Sequence, residues 1–274
     1  MKRLISTLLT VMMVFTLATP AFAIEASNDR FTTISNAFGI PTDALYTLDS
    51  ATINSLYIDA VNNTLISSND TYVKVETTEA GDMIMYEATY NQYLQETSSR
   101  ISKTDESSGW MRFHTTVFEV DSRTGQASCA FTWLTPPSPR MKDVIGVSLR
   151  QGTVNYDTAN GFYTHSSPND NYSYTFKARD MEETGAGVTA NFKLRLSDYV
   201  YDTHDYAFLR FNFTKEGTSE GVNGTYAHQK LSIAFNPSFS IDRYGVISAS
   251  GGFSIVNYYV QEKRLRIYQL VKNM

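Results

Sequence analysis

The spacing of apolar residues changes once along this chain, from a helical period near the N-terminus to a strand period that continues almost to the C-terminus. Between residues 43 and 61, apolar residues recur at every third or fourth position, which predicts one or two short amphipathic helices. From Thr71 onward apolar and polar residues alternate, as in residues 187–200, where one face is apolar and the other polar. Such alternation is typical of strands that bury one face only.

Many of the segments with the strand pattern are separated by short, turn-rich gaps. The segments are 72–77, 83–89, 110–120, 126–134, 144–150, 172–178, 187–200, 206–214, 229–235, 245–249, 253–260 and 264–271. Short gaps can join antiparallel neighbours, but they cannot hold the crossover that a parallel pair needs. We therefore predict a mainly β fold, an antiparallel β-sandwich-like domain over residues 67–274 with a short N-terminal helical segment over residues 24–66. One further helix is predicted over residues 90–99, and residues 67–70 are predicted to be a connection.

Residues 1–23 have the pattern of a secretory signal peptide. Lys2 and Arg3 provide a positive start, residues 4–18 form a short apolar stretch, and Ala21-Phe22-Ala23 is a small-x-small cleavage site. No later stretch approaches the ~20 apolar residues that a spanning helix needs. We expect a secreted, extracellular protein, periplasmic if the cell is Gram-negative, with no transmembrane segment after cleavage.

Charge and cysteine content narrow the possible functions. The formal net charge is −5, and removal of Lys2 and Arg3 with the signal peptide makes it −7. This balance disfavours binding to nucleic acids, whose phosphate backbone attracts a basic surface. Cys129 is the only cysteine in the sequence, so no intramolecular disulfide can form. Because Cys129 lies in an apolar strand segment, we expect a buried and inert thiol.

The sequence contains no convergent set of catalytic or metal-binding residues. The four histidines form neither an i, i+4 pair nor a Cys/His cluster. The polar stretches 167–171 and 202–205 are predicted turns, and neither has the pattern of a calcium-binding loop. A nucleophile elbow and a glycine-rich phosphate loop are also absent. The sequence therefore assigns no metal, no cofactor and no catalytic residue.

Aromatic residues are the one compositional excess, with 18 Tyr, 16 Phe and 2 Trp. Most of them are expected to pack in the sheets, where aromatic side chains fit well. Tyrosine also combines an apolar ring with a hydroxyl group, which suits contacts with carbohydrates and proteins. The candidate ligand-binding residues are the six tyrosines that lie near turns or on mixed faces: Tyr163, Tyr199, Tyr201, Tyr244, Tyr258 and Tyr259.

The leading functional hypothesis is a non-enzymatic extracellular or envelope-associated binding module. Its partner would be a glycan, a cell-wall polymer or a protein, and the sequence does not choose among them. One alternative is a secreted, glycosidase-like hydrolase whose carboxylates would have to meet in one cleft. The carboxylates considered for it are Glu76, Glu87, Glu119 and Asp198. The other alternative is an outer-membrane β-barrel, which shares the signal peptide, the aromatic residues and the alternation.

The two tryptophans allow a prediction about strand register. If the turn at residues 121–125 closes a hairpin in which residue 120 pairs with residue 126, then residue 113 lies opposite residue 133. Trp133 would lie beside Phe113 and share an aromatic cluster with Trp110. We expect this cluster to anchor the core rather than to bind a ligand.

Overall fold

The computed structural model describes residues 29–77, 83–98, 108–134, 142–195, 203–216, 221–229, 239–249 and 255–259. Within these ranges the chain is mainly antiparallel β with few helices, which confirms the predicted fold class. The elements stack as four layers: the N-terminal helices, a seven-stranded sheet, a five-stranded sheet and a short hairpin. An apolar cluster lies between each layer and the next.

Three helices precede the first strand, and a fourth follows the second strand. They are α1 (residues 29–38), α2 (Thr42–Tyr46), α3 (Ser50–Asn62) and α4 (Tyr90–Ser98). The carboxylate of Asp49 accepts a hydrogen bond from the backbone N–H of Thr52 at 2.7 Å and caps α3. Gly39, with a φ of 67°, ends α1, and its N–H donates to the carbonyl of Ser35 at 2.8 Å. The helices predicted from spacing are confirmed.

The strands of the described ranges form two open sheets and one hairpin. They are β1 (Thr64–Thr77), β2 (Met83–Ala88), β3 (Ser108–Glu119), β4 (Thr124–Trp133), β5 (Lys142–Leu149), β6 (Thr153–Ser167), β7 (Asp170–Thr175), β8 (Met181–Thr184), β9 (Gly187–Lys193), β10 (His204–Thr214), β11 (Val222–Gln229), β12 (Phe239–Ile241), β13 (Ile247–Ala249) and β14 (Ile255–Tyr259). Sheet A has the order β2-β1-β3-β4-β10-β6-β7, and sheet B the order β14-β11-β5-β9-β8. β12 and β13 pair with each other, and every pairing is antiparallel.

The main core lies between the facing sides of the two sheets. Phe113, Phe131 and Trp133 of sheet A meet Phe192 and Tyr226 of sheet B there, and all five are buried. The β12–β13 hairpin covers the outer face of sheet B through a smaller apolar cluster. Burial on both faces explains why sheet B contains few exposed apolar side chains in its described part.

A second apolar cluster joins α1, α2 and α3 to the outer face of sheet A. The ring of Phe38 in α1 packs against Phe118 and Phe208, with centroid distances of 5.0 and 5.6 Å. Arg210, on the same sheet face, forms an ion pair with Asp59 of α3. The helices are therefore packed into the molecule through both apolar and charged contacts.

The hairpin register differs from the prediction. Glu119 pairs with Gly125, so that Met111 rather than Phe113 lies opposite Trp133. Because successive residues of a strand point to opposite faces, Trp110 lies on the outer face of sheet A, whereas Trp133 lies in the main core. The prediction of one cluster shared by both tryptophans is wrong, although both side chains are fully buried.

Candidate ligand-binding site

Polar side chains meet on the outer face of sheet A, where β1 pairs with β3. The register places Asp70 opposite His114 and Tyr72 opposite Arg112. Paired residues of neighbouring strands share a face, and so do alternate residues along a strand. All four side chains therefore point to the side of sheet A that carries the helices.

Asp70 is the centre of this group. Its Oδ1 accepts hydrogen bonds from Arg112 Nε at 2.7 Å and from His114 Nδ1 at 2.9 Å, and its Oδ2 accepts one from Arg112 Nη2 at 3.0 Å. Burial by itself would raise the pKa of Asp70, but the hydrogen bonds from His114 and Arg112 lower it from 3.8 to about 2. Asp70 is thus ionised at neutral pH and forms a bidentate ion pair with Arg112.

The ion pair remains reachable from solvent. The side chains of Asp70 and Arg112 are 42% and 26% exposed. Burial would lower the pKa of Arg112, but its hydrogen bonds with Asp70 and the charge of that carboxylate raise it. The pair therefore presents a carboxylate and a guanidinium group side by side at the protein surface.

An aromatic cluster borders the ion pair on the side of α4. Tyr72 contacts Tyr90 and Tyr93 of this helix, with ring centroids 5.2 and 5.5 Å apart, and Tyr93 contacts Trp110 at 5.4 Å. These four residues are named here the tyrosine cluster. Trp110 is fully buried whereas Tyr90 is 52% exposed, so the cluster extends from the sheet to the solvent. Burial raises the pKa of both Tyr72 and Tyr93, whose hydroxyl groups therefore stay protonated at neutral pH.

Exposed apolar side chains lie on α4 and on the neighbouring edge strand, on the same face of sheet A as the tyrosine cluster. Ile84 and Tyr86 belong to the edge strand β2, and Tyr90 and Leu94 lie one helical turn apart on α4. Each of the four is at least 41% exposed. Single exposed apolar residues are common on proteins, but a group of them beside aromatic rings is typical of binding surfaces.

The loop after α1 forms the opposite border of the site. A Cβ at Gly39 would lie only 2.4 Å from Cγ of His114, and the positive φ of Gly39 also disfavours other residues. Glycine is thus required for the loop to cover the imidazole ring. The Nε2 atom of His114 is buried and has no hydrogen-bond partner among the residues that the structure describes.

A second polar group is buried at one end of the main core. Asp205 of β10 accepts hydrogen bonds from the hydroxyl of Tyr163 and from Nδ1 of His165, both on β6. The Tyr163 hydroxyl also accepts one from the backbone N–H of Arg195 at 2.9 Å. Since Arg195 follows β9 of sheet B, this group links the two sheets. Asp205, Tyr163 and His165 are almost completely buried, so they present no surface to a ligand.

Of the candidate tyrosines from the sequence, the two whose side chains the structure describes, Tyr163 and Tyr244, lie apart from this site. Tyr163 is buried, and Tyr244 is 67% exposed in the turn between β12 and β13. Tyr258 and Tyr259 belong to β14, whose side chains lie outside the described part of the chain. Tyr199 and Tyr201 also lie outside the described residues. The tyrosine cluster consists of other tyrosines, and the Tyr-x-x-Tyr spacing of Tyr90 and Tyr93 is the sequence signal that could have identified them.

The described carboxylates of the hydrolase hypothesis, Glu76, Glu87 and Glu119, occupy separate positions. Glu76 and Glu119 form ion pairs with lysines at 3.1 and 2.8 Å, Glu87 is exposed on β2, and Asp198 lies outside the described residues. The described carboxylates that are completely buried include Asp143, which accepts a hydrogen bond from Tyr226 inside the core. The register places Glu76 and Glu119 at opposite ends of the β1–β3 pair, so these two carboxylates do not meet.

The remaining sequence expectations concern the cysteine and metal ions. Cys129 is buried, as expected, and burial raises the pKa of its thiol to about 12. Within the described ranges, no three His, Cys, Asp or Glu side chains are placed together to bind a metal ion. In the same ranges, no helix has the length and apolar character needed to cross a bilayer.

Comparison with known proteins gives only distant structural likenesses. No protein-family model matches the chain, and no curated protein matches its sequence. The collagen-binding domain of the Erysipelothrix rhusiopathiae surface protein RspB is similar to it with 8% identity and a TM-score of 0.28, over 69% of this chain and 56% of that one. The Corynebacterium diphtheriae major pilin SpaA is similar with 8% identity and a TM-score of 0.23, over 59% of this chain and 57% of that one.

A third solved structure contains the manganese lipoxygenase of Gaeumannomyces graminis and part of a zonadhesin of Komagataella pastoris. It is similar to this chain with 11% identity and a TM-score of 0.25, over 70% of this chain and 81% of that one. The chain thus spans little more than half the length of the collagen-binding domain and of the pilin. Likenesses of this size do not assign a function.

Proposed function

We propose that this chain is a non-enzymatic extracellular binding module that binds a glycan on the outer face of sheet A. The observation that supports it is the position of a partly exposed ion pair, Asp70 and Arg112, beside the tyrosine cluster, in which the Tyr90 ring is exposed. The extracellular location in this proposal rests on the signal peptide pattern of residues 1–23.

A sugar ring combines two kinds of surface that this site complements. Its C–H groups form an apolar face that stacks on tyrosine rings, and its hydroxyl groups both donate and accept hydrogen bonds. Tyr90 supplies an exposed ring, and the ion pair supplies donors and acceptors within reach of Tyr72. The helices α1 and α4 border the site on two sides, so a chain of sugars would lie along the face between them.

The proposal is tested with residues 24–274, by electrophoresis through gels that contain soluble polysaccharides and by sedimentation with cell-wall material. We expect at least one polysaccharide to retard the protein. Tyr90→Ala should abolish most of this retardation, whereas Tyr90→Phe, which keeps the ring, should preserve it. Circular dichroism of each variant confirms that the fold is intact.

Tyr244→Ala is the matched control, because it removes another exposed tyrosine, 67% exposed against 52% for Tyr90, from the hairpin beside sheet B. If Tyr244→Ala loses binding and Tyr90→Ala does not, the site on sheet A is wrong. If the protein binds no polysaccharide or wall fraction and instead captures a protein, the glycan proposal itself is wrong.

A further inference from the structure

We infer that the glycan bound on the outer face of sheet A is uncharged and that it is recognised through a vicinal diol by the Asp70–Arg112 ion pair. This inference rests on the proposed function and specifies the chemistry of its ligand. It follows from the charges of the face, from the hydrogen-bonding capacity of the pair and from the arrangement of the tyrosine cluster.

The charges of this face disfavour an anionic ligand. Arg112 is already paired with Asp70, and Lys74 contacts both Glu76 at 3.1 Å and Glu96 of α4 at 3.0 Å. Among the described residues around the ion pair and the tyrosine cluster, these carboxylates outnumber the lysine and arginine side chains by three to two. An acidic sugar polymer would have to displace one of these carboxylates from its cation, and it would meet a net negative surface. An uncharged sugar meets neither obstacle.

The ion pair has the hydrogen-bonding capacity that two neighbouring hydroxyl groups require. Arg112 uses Nε and Nη2 to bind Asp70, which leaves three of the five guanidinium N–H groups outside the pair. Oδ1 of Asp70 accepts two hydrogen bonds and Oδ2 accepts one. One hydroxyl of a diol can therefore donate to Oδ2 while its neighbour accepts from the guanidinium group. Because His114 and Arg112 fix the carboxylate, the geometry is set before the ligand arrives.

The tyrosine cluster places a stacking surface beside this polar pair. Tyr72 is opposite Arg112 in the strand register, and its ring contacts the ring of Tyr90. A sugar whose hydroxyl groups bind the ion pair would thus extend its C–H face toward the tyrosine rings. Stacking would provide affinity for many sugars, whereas the ion pair would select those with adjacent free hydroxyl groups.

The experiment compares uncharged polymers with anionic ones and removes the diol from the ligand as well as the carboxylate from the protein. Galactomannan, xyloglucan and amylopectin are the uncharged probes, and polygalacturonate and alginate are the anionic probes. Periodate oxidation cleaves vicinal diols and provides a matched form of each uncharged polymer. Affinities of residues 24–274 are measured by titration calorimetry at 20 and 500 mM NaCl.

We expect binding to at least one uncharged polymer, with less than a twofold change between the two salt concentrations. Periodate oxidation of that polymer should weaken binding at least tenfold. Asp70→Asn should also weaken it at least tenfold, whereas Glu96→Gln, which makes the same change of charge on the same face, should change it less than twofold. Circular dichroism and thermal unfolding show whether each variant retains the fold.

The possible failures are distinguishable. Binding only to anionic polymers, or equal binding before and after periodate oxidation, would overturn the inference and leave the proposed glycan-binding function in place. Equal loss in Asp70→Asn and Glu96→Gln would show that net charge, and not the ion pair, controls binding. Absence of binding to every polymer and to cell-wall material would overturn the proposed function itself.

Discussion

Asp70 is ionised because two neighbouring side chains stabilise its negative charge. Its pKa lies at about 2 instead of 3.8, so the folded state binds this proton more weakly than the unfolded chain does. A lowered pKa contributes stability above the unfolded value, and that contribution is lost as the pH falls from about 4 toward 2. The Asp70 side chain is 42% exposed, and screening by solvent reduces the size of the effect.

Asp70→Asn should therefore lower stability at neutral pH and matter less in acid. Urea unfolding of the parent and the variant at pH values from 7 down to 2.5 measures the difference in free energy of unfolding. We expect this difference to be constant above about pH 5 and to shrink below pH 4. A difference that does not depend on pH would mean that the carboxylate is not stabilised by His114 and Arg112.

Substitution of the single residue Trp133 tests how much the main core contributes to stability. Its indole ring is fully buried and contacts Tyr226 edge-on, with centroids 5.7 Å apart. Trp133→Ala should lower the free energy of unfolding by ~3–5 kcal/mol, since it removes a large buried side chain and leaves a cavity. Leu94→Ala, at a half-exposed position on α4, should change it by less than ~0.5 kcal/mol. Similar denaturant midpoints for the two variants would contradict the buried position of Trp133.

Residues 67–70 show why the sequence pattern could not predict the candidate site. Residues 67–70 are all polar, so the alternation on which strand prediction depends is missing, and they were predicted to be a connection. In the structure they belong to β1, because β3 pairs with them and Arg112 and His114 bind Asp70. Both partners are more than forty residues away, so a local pattern could not reveal this half of the candidate site.

Among the secondary-structure elements, α3 is attached to sheet A by a buried arginine. The Arg210 side chain is only 6% exposed, and it donates hydrogen bonds to Asp59 and Ser55 of α3 and to Asn160 of β6. Burial lowers the pKa of Arg210, whereas the charge of Asp59 opposes this change. Asp59 therefore compensates a charge that is otherwise surrounded by protein.

Asp59→Asn should destabilise the protein by about 3 kcal/mol, because a buried guanidinium group would lose its counter-charge. Glu119→Gln is the control, since it removes the partner of Lys215 in an ion pair whose carboxylate is 45% exposed. Surface pairs of that kind contribute about 0–1 kcal/mol. Chemical denaturation of both variants makes the comparison, and an equal cost would show that the Arg210 charge does not depend on Asp59.

The strand β6 is missing from the sequence prediction because it is irregular. β6 was absent from the sequence prediction because Asn160-Gly161 resembles a turn and its N-terminal half is polar. The structure keeps these residues in one strand with an irregular register against β10, where Arg210 pairs with Asn160 and Asn212 with Asn155. Strand β10, by contrast, was predicted almost to the residue, because apolar and aromatic residues run along most of its length and both of its faces are buried.

In the described part of the molecule, sheet A packs against both neighbouring layers, which implies that the layers fold together. Sheet A carries the main core on one face and the helices on the other, so its strands contribute to two apolar clusters at once. Signal peptide, sandwich and helical start could each be argued from the sequence. The packing of the helices on sheet A could not, because it depends on Phe118 and Phe208, which are distant from α1 in sequence.

We therefore expect residues 24–274 to unfold in one cooperative transition. Circular dichroism at 222 nm reports mainly on the helices, whereas tryptophan fluorescence reports on Trp110 and Trp133 inside the β layers. The two signals should give the same denaturant midpoint, because removing the helices would expose the apolar outer face of sheet A. A reducing agent should not move that midpoint, since Cys129 is the only cysteine. If the helical signal were lost at a lower denaturant concentration than the fluorescence signal, the helices would be a separate folding unit, and their contacts through Phe38 and Arg210 would contribute little to stability.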